Sequence, residues 1–566
     1  MNLSQLFNAS ARFQSKYADH LIHRFQFLTM PGARLPLEKL WVEPRGLSAA
    51  LANETRLVIT GAPGAGKTTT LAFLALLNAR VLLKQTAARV PLYFAGRDLP
   101  AQALPRITDL PRELNLAPDL SAHCPRIFFP NVFNSDRALV LIDDADALPP
   151  EQLQTWLNEF KDARIIVTAQ SALPDMIEFR LPGFRDGDIE QFANKWNAEN
   201  AAAFLAALKS NATPRALTAT PLTLTLLAQV VKSDQPLPAR RADLFDAYLQ
   251  TLGDWGDTLS LLESVALNLV RGETVSNDVV IKSRGFLRLA RNRTAEFTHD
   301  LWQAYFAARA WHTSFDLDAL ANYFDDPASA WREMILFYAG LGDASELADR
   351  LVRRGKIEFA GRVIAHAREV RADLRDTVTQ ALIQRAWDGN AEVLAALSEM
   401  QSTAAVDAFA AKLKDKDPSV RTRAAEILGA LELDRGIEYL LPQLRDVNAE
   451  VRDRVVEALG HARTDRVIEP LLVALRGDSR VGIVDTRMRV AAARALGEIA
   501  SDKALPALLV ELQIGEPDLR PVAANALKRM SSPLLFKPLR GIAQTGDEVA
   551  RQFAAEVLAV VNGQNH

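Results

Sequence analysis

The feature that most constrains the fold is a glycine-rich segment between two apolar runs of different character. Residues 56–60 read Arg-Leu-Val-Ile-Thr, a strand-like run, and residues 68–74 read Thr-Thr-Thr-Leu-Ala-Phe-Leu, a helix-like run. Between them, positions 61–68 read Gly-Ala-Pro-Gly-Ala-Gly-Lys-Thr. Glycines allow successive backbone N–H groups to turn towards one anion. A strand, this loop and a helix in this order predict a phosphate-binding P-loop.

Each position of the loop has an expected task. The loop backbone would surround the phosphates, and the positive end of the following helix would face them. Lys67 would contact the β- and γ-phosphates, and the hydroxyl group of Thr68 would bind Mg²⁺. The predicted nucleotide-binding residues of the loop are Gly61, Ala62, Pro63, Gly64, Ala65, Gly66, Lys67, Thr68 and Thr69.

A second motif supplies the acidic residues that a P-loop site requires. Residues 137–144 read Arg-Ala-Leu-Val-Leu-Ile-Asp-Asp, and such a continuous apolar run predicts a strand buried on both faces. Asp143 would bind Mg²⁺ together with Thr68, and Asp144 or Asp146 would orient the attacking water. Taken alone, the run also fits an ordinary buried strand followed by a solvated acidic loop.

Two further strand-like runs, at 90–94 and 163–168, complete the expected sheet. The second of these runs is followed by Gln170. Ligands lie at the carboxyl ends of parallel strands, so the amide of Gln170 would contact the γ-phosphate. Apolar strands alternate with helical stretches from about residue 50 to 175. This alternation predicts an α/β fold with a doubly wound parallel sheet.

Composition narrows the class of protein. Hydrophobic residues make up 49% and charged residues 24% of the 566 residues, as in ordinary globular proteins. The net charge of −3 argues against a protein that coats nucleic acid or an anionic membrane. A single cysteine excludes a disulfide framework and fits a reducing cytosol. The first residues show no secretory signal, and the apolar run 71–83 is too short to span a bilayer. We expect a cytoplasmic protein without membrane contact.

The order of the motifs resembles that of NACHT-type NTPases, within the STAND class of signalling ATPases. The resemblance covers about residues 30–345. It is carried by the two nucleotide motifs and by segments 35–42 before the P-loop, 181–192 at the start of a helical domain, a proline motif at 218–224, a bridge at 237–245 and a histidine motif at 297–308.

This resemblance implies further roles. Pro221 would pack on the nucleotide base, and His299 would reach the β-phosphate of ADP and hold a winged-helix domain closed. A histidine packed in the core of that domain is the alternative for His299. ATP, rather than GTP, is implied as the nucleotide. The family's acidic motif usually ends in Asp-Glu, whereas here it reads Asp146-Ala147, and Gln170 replaces the usual arginine. Glutamine brings no charge to the transition state, so we expect slow hydrolysis.

From about residue 400 the sequence repeats itself. The pattern Val-Arg-x-x-Ala-Ala-x-x-Leu-Gly recurs with variations, and its arginines stand at 421, 452, 489, 520 and 551. Units that bury their apolar faces only against neighbours form an α-solenoid, here resembling HEAT-like repeats, with a longer loop near 479–485. We expect the glycine to end each helix. The arginines either line a binding face or pair with nearby acids, such as Arg421 with Asp417, and we favour pairing.

The predicted organisation has six parts. Residues 401–566 contain equal numbers of basic and acidic residues, which favours a protein ligand over nucleic acid for the solenoid. The parts are an N-terminal helical segment (1–47), a P-loop domain (48–175), a helical domain (176–239), a winged-helix domain (240–312), a helical linker or irregular repeats (313–400) and HEAT-like repeats (401–566).

The expected function is a cytosolic switch with ADP bound at rest. A ligand on the repeats would release the winged helix, and ATP with Mg²⁺ would license assembly of a homo-oligomer. The family resemblance implies a role in bacterial antiphage immunity. Two alternatives remain. One is a HEAT scaffold in which the nucleotide is structural. The other is a DNA-associated regulator that uses the basic winged-helix residues Lys282, Arg284, Arg288, Arg291 and Arg293.

Overall fold

The structure is a computed structural model. It describes residues 3–99, 110, 114, 116–210, 215–231, 237–290, 293–314, 317, 320, 323, 329–462, 464–477, 486–530 and 532–562. Within these residues, no helix combines the length and the apolar character needed to cross a membrane.

In the described part of the chain, nine strands form three sheets, of which the largest carries the candidate site. Its five strands are all parallel and lie in the order β4-β5-β6-β3-β7. The strands are β1 (Phe27–Met30), β2 (Ala33–Pro36), β3 (Arg56–Thr60), β4 (Val90–Ala95), β5 (Ala138–Asp143), β6 (Arg164–Thr168), β7 (Ile177–Arg180), β8 (Leu287–Leu289) and β9 (Ala295–Phe297). The predicted parallel α/β sheet is confirmed.

The continuous apolar runs explain why four of the five strands were predictable. Every residue of β5 is buried, as a central strand covered on both faces requires. The strand β7 was missed because its residues, Ile-Glu-Phe-Arg, are mostly exposed and form no apolar run. It pairs with β3 at the edge of the sheet and so lies next to the strand that leads into the P-loop.

Helices cover both faces of this sheet and extend the front half. The P-loop helix Lys67–Lys84 packs on β4, β5 and β6 through one apolar face. The first helix, Leu3–Phe25, packs on that helix, and the hydroxyl of Tyr17 donates a hydrogen bond of 2.6 Å to the carbonyl of Pro91. The remaining helices of this part are Leu37–Leu40, Leu47–Asn53, Pro118–Ala122, Phe128–Asn134 and Pro150–Glu159.

Two helical groups follow the sheet. Four helices come first, at Asp186–Asn197, Ala201–Ser210, Arg215–Thr218 and Pro221–Val231. The second group consists of Arg241–Thr251, Asp257–Val270 and Val279–Lys282, then the antiparallel hairpin β8–β9, and then the helix Asp300–Ser314. Helices followed by a hairpin in this order are typical of a winged helix. The winged-helix assignment and the predicted domain boundaries stay predictions.

The rest of the chain is a stack of helices, as predicted. Consecutive repeats pack through their second helices, from Pro418–Leu431 onwards. The α-helices are Ser329–Leu341, Ser345–Arg353, Ile357–His366, Ala372–Ala386, Ala391–Glu399, Thr403–Lys412, Pro418–Leu431, Asp434–Leu440, Ala449–Gly460, Ile468–Leu475, Thr486–Ile499, Leu505–Ile514, Leu519–Met530, Phe536–Thr545 and Glu548–Asn562. The longer loop predicted near 479–485 lies outside the described residues.

Two of the repeated glycines have a different role from the expected one. Gly460 is the last residue of its helix, Ala449–Gly460, as predicted. Gly429 lies inside Pro418–Leu431 and Gly497 inside Thr486–Ile499, so the prediction that the glycine ends its helix is wrong for these two. A Cβ on Gly429 would lie 2.7 Å from the Cα of Ala458 in the next repeat, far inside van der Waals contact. The glycine therefore permits close approach of neighbouring helices, which is a packing requirement that the repeat pattern alone does not reveal.

Three of the repeated arginines, Arg421, Arg489 and Arg520, form ion pairs with acids, although Arg421 does not pair with the expected Asp417. Arg421 makes two hydrogen bonds, of 2.7 and 2.8 Å, to the carboxylate of Asp446, and a third of 2.9 Å to the carbonyl of Asp415. Asp417 instead caps its own helix through the N–H of Ser419. Asp446 lies in the next repeat, so the arginine joins the loop before its helix to the following unit.

The last repeats return to the front half of the chain. The helices Leu519–Met530 and Glu548–Asn562 contact the helix Leu47–Asn53, which immediately precedes β3. The guanidinium of Arg185 also donates a hydrogen bond of 3.2 Å to the carbonyl of Gly460. The repeats and the helix that precedes β3 are thus in direct contact as well as connected along the chain.

Replacing Arg421 by methionine should destabilise the repeats locally. The side chains of Arg421 and Asp446 are only 10% and 6% exposed, and removal of one partner leaves the other charge buried. We expect a loss of about 3 kcal/mol. Amide hydrogen exchange of the full chain would detect it as faster exchange across residues 403–460.

Arg466→Met is the matched control, because the pair of Arg466 with Glu438 is 55% and 59% exposed. Its effect should stay within about 0.5 kcal/mol. Equal effects of the two substitutions would contradict the structural role of Arg421.

Candidate functional site: a nucleotide site at the carboxyl edge of the sheet

The P-loop has the backbone conformation that its glycines predict. Gly64 and Gly66 adopt φ angles of 81° and 93°, in the left-handed region that side chains disfavour. The helix begins at the next residue, Lys67. The ammonium of Lys67 donates hydrogen bonds of 2.7 Å to the carbonyl of Gly61 and 3.4 Å to that of Ala62. The lysine is therefore held across the loop, where its charge faces the phosphate position.

Asp143, the last residue of β5, is held by three hydroxyl groups. Thr68 and Thr168 donate to one carboxylate oxygen, at 3.1 and 2.7 Å, and Tyr93 donates to the other at 2.9 Å. Asp143 is buried, with 5% of its surface exposed, so these hydrogen bonds hold its carboxylate in one orientation. The oxygens of Thr68 and Asp143 lie next to each other, as the sequence predicts for a pair of metal ligands.

Tyr93 and Thr168 were not predicted as site residues. Each lies near the carboxyl end of its strand, β4 or β6, next to β5. Thr168 also accepts a hydrogen bond of 2.8 Å from the N–H of Asp144. A polar residue at the end of an apolar run was the available signal for Thr168.

Asp144 has an unusual backbone, with a φ angle of 51°. Gly96 lies against it, because a Cβ on Gly96 would collide with the carbonyl oxygen of Asp144. Burial, together with the charge of Asp143, raises the pKa of Asp144 to about 6, although Arg97 opposes that shift. Asp146 is exposed and accepts a hydrogen bond of 3.0 Å from the backbone N–H of Gln170. Both candidates for orienting water, and Gln170, therefore lie at this edge of the sheet.

Burial lowers the pKa of Lys67, and the nearby carboxylates of Asp144, Asp146, Asp300 and Asp143 oppose this shift. The structure therefore gathers the predicted catalytic carboxylates around the P-loop lysine. Asp300 is the unexpected member, since it belongs to the helix after the β8–β9 hairpin.

His299 presents a defined ring nitrogen. Its Nδ1 accepts a hydrogen bond of 3.1 Å from the N–H of Leu301, which places the ring proton on Nε2. Burial lowers the pKa of His299, with Lys67 and Arg97 adding to the shift and Asp300 opposing it. The ring is therefore neutral near pH 7 and carries a donor N–H. Leu301 itself approaches the P-loop at Gly64, so the histidine motif lies against the loop.

An apolar cleft lies beside the P-loop. Pro221 forms part of its wall and approaches Gly66, whose Cβ would lie 3.3 Å from the Pro221 ring. The N–H of Leu222 donates a weak hydrogen bond of 3.4 Å to the carbonyl of Gly64. The cleft is lined by Leu40, Trp41, Val42, Glu43, Pro44, Arg45, Ala65, Gly66, Thr69, Thr70, Leu181, Pro182, Phe184, Asp188 and Pro221. Its mostly apolar walls suit a planar base.

The residues present fit a nucleotide with Mg²⁺. Within the described part of the chain, no three His, Cys, Asp or Glu side chains form a cluster able to hold a metal ion. Mg²⁺ at phosphate sites needs only one or two protein oxygens, because phosphates and waters supply the others. Thr68 Oγ1 and Asp143 Oδ1 lie 3.1 Å apart, so these two oxygens would be available to one Mg²⁺ ion beside the phosphates.

The basic residues of the winged-helix candidate are partly engaged within it. Arg288 pairs with Glu296 at 2.6 Å, and the guanidinium of Arg284 lies 4.9 Å from the centre of the Trp255 ring. Arg291 lies outside the described residues. These contacts do not favour a DNA-binding role.

Comparisons with protein families agree with this site. Residues 55–200 match the NACHT domain family, and residues 375–459, 437–509 and 482–559 match the HEAT repeat family. The resemblance and the architecture predicted from the sequence are confirmed: a P-loop NTPase domain of the NACHT type precedes C-terminal HEAT repeats. No curated protein matches the chain.

Similar solved structures include an engineered protein that is 19% identical. The match covers 37% of this chain and 97% of the engineered protein, with a TM-score of 0.24. The YibA protein of Escherichia coli is 15% identical and covers 46% of this chain and 96% of its own, with a TM-score of 0.23. Human deoxyhypusine hydroxylase in complex with glycerol is 18% identical. The match covers 38% of this chain and 99% of the hydroxylase chain, with a TM-score of 0.16. Scores this low carry no argument.

Replacing Thr168 by valine tests the support of Asp143. Valine keeps the shape of threonine but removes the hydrogen bonds to the carboxylate of Asp143 and the N–H of Asp144. We expect at least a tenfold loss of ATP affinity in Mg²⁺, because residues that orient a metal ligand typically contribute that much. Affinity measured in EDTA should change little.

Thr155→Val is the control. The hydroxyl of Thr155 is exposed and donates a hydrogen bond to the backbone carbonyl of Glu151 in the same helix. An equal loss of affinity with and without Mg²⁺ for Thr168→Val would show that Thr168 supports the loop rather than the metal ligand.

Proposed function

From a NACHT domain joined to HEAT repeats, we propose that the protein is a cytosolic signalling switch controlled by its nucleotide. ADP occupies the P-loop site at rest, and a ligand on the repeats releases the closed form. ATP with Mg²⁺ then supports assembly into a homo-oligomer. A role in bacterial antiphage defence is part of this proposal and rests on family resemblance.

The observation that carries the proposal is the meeting of two chain segments at one phosphate site. The P-loop lies between β3 and the helix Lys67–Lys84, whereas His299 and Asp300 come from the winged-helix candidate. A neutral histidine with its proton on Nε2 is suited to donate to a phosphate oxygen. A nucleotide bound there interacts with both segments, so its phosphate number affects whether they stay together. A ligand shifts such an equilibrium only if it binds the two forms differently.

The return of the last repeats to the front half supports the sensing step. The helices Leu519–Met530 and Glu548–Asn562 contact Leu47–Asn53, and β3 with the P-loop follows directly. A protein ligand that changes the curvature of the repeats changes this contact. The equal numbers of basic and acidic residues in 401–566 suit a protein ligand rather than nucleic acid.

Hydrolysis in this proposal is slow and serves to reset the switch. Gln170 is exposed and brings no positive charge, so transition-state stabilisation depends on Lys67, Mg²⁺ and the loop backbone. Asp144 or Asp146 orients the attacking water. Removing one charged stabiliser of this kind typically costs about 100-fold or more in rate.

The test is to purify the protein, identify the nucleotide it releases, and measure its mass in solution with and without excess ATP and Mg²⁺. We expect a monomer that carries ADP and grows into a defined oligomer only with ATP. Lys67→Ala should abolish both nucleotide retention and assembly. The substitution removes the ammonium but leaves the hydroxyl ligands around Asp143 in place.

A protein of fixed mass that carries no nucleotide, and whose properties survive Lys67→Ala, would contradict the switch and support the HEAT scaffold. Salt-sensitive binding of duplex DNA that is lost on reversing the charges of Arg288 and Arg291 would support the DNA-associated regulator instead.

A further inference from the structure

Arg97 joins carboxylates from two distant parts of the chain. Its guanidinium makes two hydrogen bonds, of 2.9 and 2.8 Å, to the carboxylate of Asp300. Its Nε lies 3.1 Å from a carboxylate oxygen of Asp144. Asp144 follows the buried strand β5, whereas Asp300 follows His299 in the winged-helix candidate. This arginine is therefore a direct electrostatic link between the acidic motif and the segment that would hold the domain closed.

The backbone places Arg97 at the phosphate edge of the sheet. Arg97 follows β4, whose last residue, Ala95, is paired with Asp143 of β5. Gly96 packs against the carbonyl oxygens of Asp143 and Asp144 so closely that no side chain fits there. The position of Arg97 is thus fixed by the sheet, while its side chain extends towards Asp300.

The strength of this link is modest, which matters for a switch. The side chains of Arg97, Asp144 and Asp300 are 32%, 33% and 45% exposed. Water screens the charges of ion pairs with such exposure, so this link is weaker than a buried one of the same geometry. A phosphate is a stronger competitor, because a guanidinium binds it through two charge-assisted hydrogen bonds. A terminal phosphate can therefore displace Asp300 from Arg97.

The two other predicted contacts of the γ-phosphate, Gln170 and Lys67, do not supply a guanidinium group. Gln170, at the position where a cation was expected, carries no charge, and Lys67 is held across the P-loop. Arg97 contributes a positive charge at the same edge, and its planar group suits a phosphate with several oxygens. Burial opposes the charge of Arg97, but the carboxylates of Asp300 and Asp144 raise its pKa, so it is charged throughout the accessible pH range.

We propose that Arg97 distinguishes ATP from ADP by exchanging Asp300 for the γ-phosphate. This inference rests on the proposed nucleotide switch and adds the residue that reads the phosphate number. With ADP, Arg97 stays paired with Asp300 and keeps the winged-helix candidate against the sheet. With ATP, Arg97 turns to the γ-phosphate, and the released carboxylate of Asp300 faces a phosphate of the same charge. Repulsion between the two then drives the segments apart.

The exchange makes an unusual prediction about the two members of one ion pair. Arg97→Gln removes the cation that binds the γ-phosphate, so the preference for an unhydrolysable ATP analogue over ADP should fall about tenfold or more. Asp300→Asn removes the competitor of the phosphate, so the same preference should rise several-fold. Both affinities are measured on the full chain with fluorescent nucleotides in Mg²⁺.

A purely structural ion pair predicts the opposite pattern. Loss of either partner would then open the molecule in the same way and shift the preference in the same direction. Shifts of equal sign, or no shift in either variant, would overturn the role of Arg97 while leaving the switch intact. If the wild-type protein binds neither nucleotide, both the proposed function and this inference are wrong. Thermal unfolding of each variant checks that the fold is kept.

Arg350→Gln is the matched control. It removes an ion pair of comparable exposure, Arg350 with Glu346, whose side chains are 27% and 58% exposed. Both residues belong to the helix Ser345–Arg353, outside the nucleotide site. Its removal should leave the nucleotide preference unchanged, and a shift comparable to that of Arg97→Gln would contradict a specific role for Arg97.

Discussion

The buried carboxylate of Asp143 is the interaction on which the nucleotide site depends. A charge at the end of a buried strand is stable only if hydrogen bonds replace the lost water, and three hydroxyl groups do so here. Those hydroxyls come from the P-loop, β4 and β6, so one carboxylate fixes the relative position of three segments. The metal position, the loop and the acidic turn after β5 therefore form one unit.

The turn after β5 connects this buried centre to more exposed charged residues. Asp144 has a left-handed backbone conformation. Gly96 packs against its carbonyl oxygen, and the hydroxyl of Thr168 accepts a hydrogen bond from its N–H. In that position its side chain meets Arg97, which in turn meets Asp300. A buried centre is thus connected through partly exposed ion pairs to the helix that begins at Asp300. A firm site with weaker contacts at its border would suit the proposed reversible switch.

The sequence was informative wherever function imposed a local pattern. The glycine-rich loop, the buried strand before Asp143 and the repeated helices each leave a periodic or motif signature, and all three features are present in the structure. Tyr93 and Arg97 leave no such signature, because their importance comes from neighbouring strands that are far apart in sequence. Thr168 could be recognised only as a polar residue at the end of an apolar run. The edge strand β7 was missed because an exposed strand has no apolar run. The prediction that Gly429 ends its helix was wrong because a contact between two helices leaves no mark in the local sequence.

The HEAT repeats add a mechanical connection to this site. Arg421 pairs with Asp446 in the next repeat, and Arg520 likewise donates to Asp547 at 2.7 Å. These pairs fix units to their neighbours, so a change of curvature at one repeat would pass to the next. The last units contact Leu47–Asn53, which leads directly into β3 and the P-loop. In the proposed switch, a deformation of the repeats would therefore reach the strand that leads into the loop of Lys67 without any contact between the ligand and the nucleotide.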